Sequence, residues 1–100
     1  MLEELQKEFL HQVNTVLPEL ARRTGKYPVI YNHCWSRILY DNLFNTCWYN
    51  KLDTTQGAAY KQLTEDQLRT LLTWCDEIKK SPKLADLMNS NSLRWRQEYV

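Results

Sequence analysis

Between Tyr31 and Asn50 the chain carries bulky apolar side chains at a helical period around most of its circumference. Projected at about 100° per residue, Trp35, Leu39, Leu43, Cys47, Tyr40, Phe44 and Trp48 cover more than half of the helix surface, while Ile38 and Cys34 add apolar bulk on another side. A surface helix needs only one apolar stripe, so a helix apolar on several sides has to be covered on several sides. Residues 31–50 are therefore expected to form a central helix. One hundred residues suffice for one hydrophobic core and leave no material for a second. The expected fold is a single all-α domain over residues 1–100, a bundle of four to five short helices around that central one.

The rest of the chain supplies the wrapping helices. Leu2, Leu5, Phe9, Val13 and Val16 recur at three- and four-residue steps, which predicts an amphipathic first helix to about Leu17. Pro18 suits the first turn of a short continuation, and Gly25 stands where a left-handed C-cap is needed. Residues 50–62 lack periodicity and are expected to be a loop. Thr64 and Gln67 then form a capping box, with Leu63 and Leu68 at the hydrophobic-staple positions. Leu68, Leu71, Leu72, Cys75 and Ile78 give this helix its apolar stripe. Ser81-Pro82 signals another start, Leu84, Leu87 and Met88 a short apolar side, and "NSNS" at 89–92 an expected break. Residues 93–100 are expected to be a further helical turn or an arm. No strand-like alternation appears anywhere in the chain.

A formal net charge of +1 and a pI near 7.7 exclude a protein that is basic overall, so nucleic-acid binding would need a local patch. The opening "MLEELQKEFL" has three glutamates, one lysine and no long apolar run, unlike a signal peptide or a membrane span. Three widely spaced cysteines, 34, 47 and 75, read as free thiols of a reducing compartment. The expected location is cytoplasmic, with no membrane partner.

Four readings of the polar residues can be weighed. A zinc site from His33, Cys34, Cys47 and Cys75 suffers from geometry, because the neighbours His33 and Cys34 project about 100° apart on a helix. No metal and no cofactor are expected. A nucleophilic Cys34 beside His33 fails for the same reason. The stripe His33, Arg37, Asp41 is spaced by four on one helix face next to Tyr40. Structurally it reads as an Arg37–Asp41 ion pair with His33 bonded to backbone; functionally it reads as a pocket whose Arg37 holds an anion while aromatic rings stack on the apolar part. Finally, Arg22, Arg23 and Lys26 form one basic cluster, and Arg94 and Arg96 flank Trp95 in another. Arginine next to an aromatic ring suits phosphate, nucleobases or a protein hot spot.

The expected function is a small non-catalytic binding or regulatory protein acting through another protein, with a homodimer plausible. One alternative is a nucleic-acid binder that joins Arg22, Arg23 and Lys26 to Arg94, Trp95 and Arg96. The other is a small enzyme or anionic-ligand binder built on His33, Arg37 and Asp41, with Tyr40 in the pocket.

Overall fold

The computed structural model describes residues 1–98 and builds the expected helical bundle from five α-helices. The first apolar period forms an unbroken rod in three parts: α1 (Leu2–His11), a π-helical segment (Gln12–Val16) and α2 (Leu17–Thr24). Pro18 explains why the middle part is wide. It has no N–H for the Asn14 carbonyl, and its ring would crowd that carbonyl in a regular α-turn. Widening the turn just before Pro18 lets the helix run on where a regular α-helix would be kinked or broken. Gly25, at φ +65°, closes α2 with its N–H on the Ala21 carbonyl at 3.0 Å.

The central helix is α3 (Asn32–Phe44), shorter than the expected 31–50. It stops because Asn45 turns left-handed at φ +55°, a conformation Asn tolerates better than most residues. The chain then folds back through a 3₁₀ turn at Trp48–Asn50. Cys47 still reaches the core, fully buried, by this return rather than along the helix. Residues 51–63 are loop apart from a 3₁₀ turn at Ala59–Gln62. Gln62 braces the loop by donating to the Asp53 carbonyl and accepting from the Asp53 N–H, at 2.8 and 3.0 Å.

Helix α4 (Glu65–Lys80) starts with the expected capping box, Thr64 and Gln67 each bonding the other's backbone N–H. At its far end Tyr27 donates its hydroxyl to the Ile78 and Lys79 carbonyls at 2.9 and 3.2 Å, satisfying acceptors that a helix C-terminus leaves open. Helix α5 (Pro82–Glu98) does not break at "NSNS" but runs unbroken over 17 residues, so residues 93–98 of the expected further turn belong to it, and residues 99 and 100 lie outside the described residues. The reason lies in α3: Asn89, Asn91 and Ser92 spend their polar groups on α3 side chains instead of competing for their own backbone.

The core holds Phe9, Val13 and Leu17 of the rod, Trp35, Ile38 and Leu39 of α3, Leu68, Leu71, Cys75 and Ile78 of α4, and Ala85 of α5. Each large side chain buried there contributes about 1.5–3 kcal/mol. Trp35 offsets part of its share, because its indole N–H is buried without a hydrogen-bond partner, at a cost of about 1–3 kcal/mol. Among the described residues no helix is long and apolar enough to cross a membrane.

Candidate functional site

Four residues per turn-and-a-bit place Arg37 and Asp41 one above the other on the α3 face that meets α5. Asp41 is fully buried, and such a carboxylate requires partners for its charge and its lone pairs. It has four. Its Oδ1 accepts from the Trp48 backbone N–H at 2.9 Å and from Arg96 Nη2 at 3.3 Å. Its Oδ2 accepts from Ser92 Oγ at 2.6 Å and from Arg96 Nε at 3.0 Å. One side chain of α3 thus fixes the last turns of α5 and the returning segment after Asn45.

The ion partner of Asp41 is therefore Arg96, not the expected Arg37. Arg37 reaches past Asp41 to α5, donating from Nη1 to Ser92 Oγ at 2.8 Å and from Nη2 to Asn89 Oδ1 at 2.9 Å. Ser92 relays between them, accepting from Arg37 while donating to Asp41. Burial disfavours the charge of Arg96, but its bonds to Asp41 and Tyr49 outweigh that and raise its pKa. Its guanidinium also lies 4.8 Å from the centre of the Tyr49 ring, within cation–π range.

Beside this network opens a cleft of about 520 Å³. One wall comes from Val13 and Asn14 of the π segment, another from His33, Ser36, Arg37 and Tyr40 of α3. Trp48, Tyr49 and the stretch Gly57–Tyr60 complete it, with Arg96 at its edge. Among the described residues no aspartate or glutamate lines it. The aromatic rings are chained edge to face: Tyr40 to Trp48 at 5.5 Å and Trp48 to Tyr49 at 4.7 Å between centroids. Burial pushes the Tyr40 phenol well above its ordinary value, with Tyr60 adding to the shift, so Tyr40 remains a neutral hydroxyl there.

The stripe read from the sequence is split by depth. Asp41 and Tyr40 are buried, Arg37 is half-buried and faces the cleft, and His33 is exposed at its rim. His33 stacks on Tyr31 at 5.9 Å with the rings nearly parallel, rather than sitting in the buried network. The two basic clusters stay apart: among the described residues no hydrogen bond, ion pair or ring contact joins them. Arg22, Arg23 and Lys26 are exposed around the end of α2. Arg94 packs over Trp95 at 5.6 Å, and Arg96 is committed to Asp41.

Sequence reasoning missed Asn89 and Ser92 as site residues, since polar residues in a run read as a helix stop. The signal that could have found them is spacing: 89, 92 and 96 fall on one face if the helix simply continues. Gly57 to Tyr60 had no signal beyond loop composition. The cysteines do not gather with other ligands, and no group of three or more His, Cys, Asp or Glu residues could hold a metal among the described residues. Cys47 and Cys75 are buried and Cys34 is half-buried; burial pushes the Cys75 thiol up to about 12, the opposite of a reactive thiolate. Comparison with protein-family models, with curated proteins and with solved structures finds no match for this chain.

Proposed function

We propose that the protein is a non-catalytic binding protein that captures an anionic group in the cleft between α3 and residues 48–60. The observation that carries this reading is the charge of the lining: two guanidiniums and an imidazole, with no aspartate or glutamate among the described lining residues. A guanidinium has five N–H donors, and Arg37 spends two of them on Ser92 and Asn89. Those two bonds fix its plane, so the remaining donors meet an oxyanion without an ordering cost at the moment of binding. Asp41 is ion-paired with Arg96, and among the described residues no carboxylate is ion-paired with Arg37. A ligand that binds only the folded chain raises its stability by about 2.7 kcal/mol at one hundred times Kd. Thermal unfolding with increasing inorganic phosphate tests this. A rise in Tm that survives Arg22→Gln with Arg23→Gln, and disappears in Arg37→Gln, is expected; loss of the rise in the first variant and not the second would move the anion to the α2 end.

A second reading, action through a protein partner or a second copy, draws on the opposite side of α5. Leu87 is 59% exposed and borders a groove of about 300 Å³ with Trp74, Leu84, Met88 and Asn91. Isolated exposed leucines are common on soluble domains, whereas a groove that joins Leu84, Leu87, Met88 and Trp74 to Asn42, Asn45, Glu77 and Asn91 mixes apolar and polar groups as a contact surface does. Sedimentation of the wild type against Leu87→Asp reads it directly for self-association: a concentration-dependent species lost in the variant supports the contact, and a monomer in both counts against a second copy.

A further inference from the structure

We infer that the cleft takes a planar aromatic ring carrying a phosphate, the chemistry of a mononucleotide. The inference rests on the anion-binding reading above and adds what is attached to the anion. Size is the first ground. A space of about 520 Å³ lies in the range of about 300–1,000 Å³ typical of small-molecule sites, and a lone oxyanion would leave most of it empty. The second ground is the array Arg96–Tyr49–Trp48. The Arg96 guanidinium stands 4.8 Å from the Tyr49 ring centre, and that ring 4.7 Å from Trp48. The Tyr49 and Trp48 rings line the same cleft as Arg37 and Arg96, so an oxyanion held by the arginines has aromatic side chains beside it for its substituents. Tyr49 is 42% exposed and Trp48 half-buried, so both rings still have surface to offer. Every base has a π-face for such rings, and one good stack tightens binding about ten-fold.

The third ground is the small side chains in the lining. Residues 57 to 59 are Gly, Ala and Ala, which line the cleft with almost no side-chain bulk and leave a flat group room to slide in. The charge also matches. Arg37 and Arg96 against Asp41 leave one positive charge facing the cleft, and His33 adds a polar edge at the rim, a set suited to a phosphate monoester rather than to a polyanion.

Titration calorimetry of the full chain with 5′-AMP tests this, with ribose 5-phosphate, adenosine and inorganic phosphate as the partial ligands. The expected result is AMP binding at least about ten-fold tighter than either half, since one good stack alone contributes that much. Tyr49→Ala should weaken AMP about ten-fold and leave ribose 5-phosphate unchanged, while Arg37→Gln should weaken both; circular dichroism confirms that each variant is folded. Ribose 5-phosphate or inorganic phosphate binding as tightly as AMP would overturn the aromatic half and leave the anion-binding reading standing. Silence from all the phosphates would overturn both. Phenyl phosphate matching AMP would keep the ring-phosphate chemistry and overturn its assignment to a nucleotide.

Discussion

Replacing Asp41 shows how much of the fold hangs on one buried charge. Asp41 is fully buried and its partner Arg96 keeps a quarter of its side chain exposed. Asp41→Ala removes an acceptor from four donors: the Trp48 N–H, the Ser92 hydroxyl and two N–H groups of Arg96. Breaking a buried pair by deleting one member costs about 3–5 kcal/mol. Arg96 recovers part of this by turning toward solvent, which places Asp41→Ala near about 3 kcal/mol on that scale. Arg96→Met strands a carboxylate that has no route to water, and belongs near the upper end, about 4–5 kcal/mol. In a chain whose whole stability is on the order of 5–15 kcal/mol, each should lower Tm by roughly 12–30 °C. The double variant Asp41→Leu with Arg96→Met leaves neither charge behind. It should therefore cost less than the sum of the singles by at least about 2 kcal/mol. Urea unfolding followed by circular dichroism measures all three, and the Trp48 indole resonance followed by NMR reports whether the 45–50 segment comes loose before the rest. Single variants costing under about 1 kcal/mol each, and adding without coupling, would refute the claim that this pair ties α5 and the returning segment to α3.

Two other perturbations read different parts of the structure. Thr64→Ala removes the side-chain half of the capping box and should cost about 1 kcal/mol in the same urea assay, with no change in phosphate binding, because α4 does not line the cleft. Cys75 ionises near 9.0 as an ordinary thiol and near 12 in the fold, burial being the main cause. Below pH 9 both states keep the proton and stability is intact. As pH rises from 9 toward 12 the unfolded chain loses the proton first, so stability falls, by about 2 kcal/mol at pH 10.5 from about 1.4 kcal/mol per unit. Cys75→Ala should flatten that part of the alkaline profile relative to its own value at pH 8, and an unchanged slope would count against the burial argument.

The sequence shows the wrapping helices because their signals are local. The Thr64 capping box, Gly25 at its left-handed cap and the 3.6-residue period of residues 2–17 and 68–78 each depend on residues within a few positions of one another. What escapes is whatever depends on a distant partner. Asn45 ends α3 at Phe44, six residues before the expected end at Asn50, because the apolar period that continues through Cys47 and Trp48 is satisfied equally well by a chain folding back into the same core. "NSNS" reads as a break until Arg37, Asp41 and Asn42 are seen to take up its polar groups. The His33, Arg37, Asp41 stripe was legible as a polar face, and its division into a buried anchor, a cleft-facing arginine and a rim histidine was not. That division follows from which α5 side chains reach each α3 position, which no spacing rule encodes. The cleft itself is assembled from the rod, α3, the 48–60 segment and the end of α5, so its existence is a property of tertiary packing.

The cleft as the place where an anion binds is tested most directly by mapping the contact residue by residue. We would titrate isotope-labelled protein with 5′-AMP and follow the amide, indole and arginine side-chain resonances by NMR. The account predicts saturable shifts concentrated at Arg37 Nε, the Trp48 indole and the Gly57 and Ala58 amides, with Arg22, Arg23 and Lys26 unmoved. Shifts that track the exposed basic residues at the end of α2 and leave the cleft silent would contradict it.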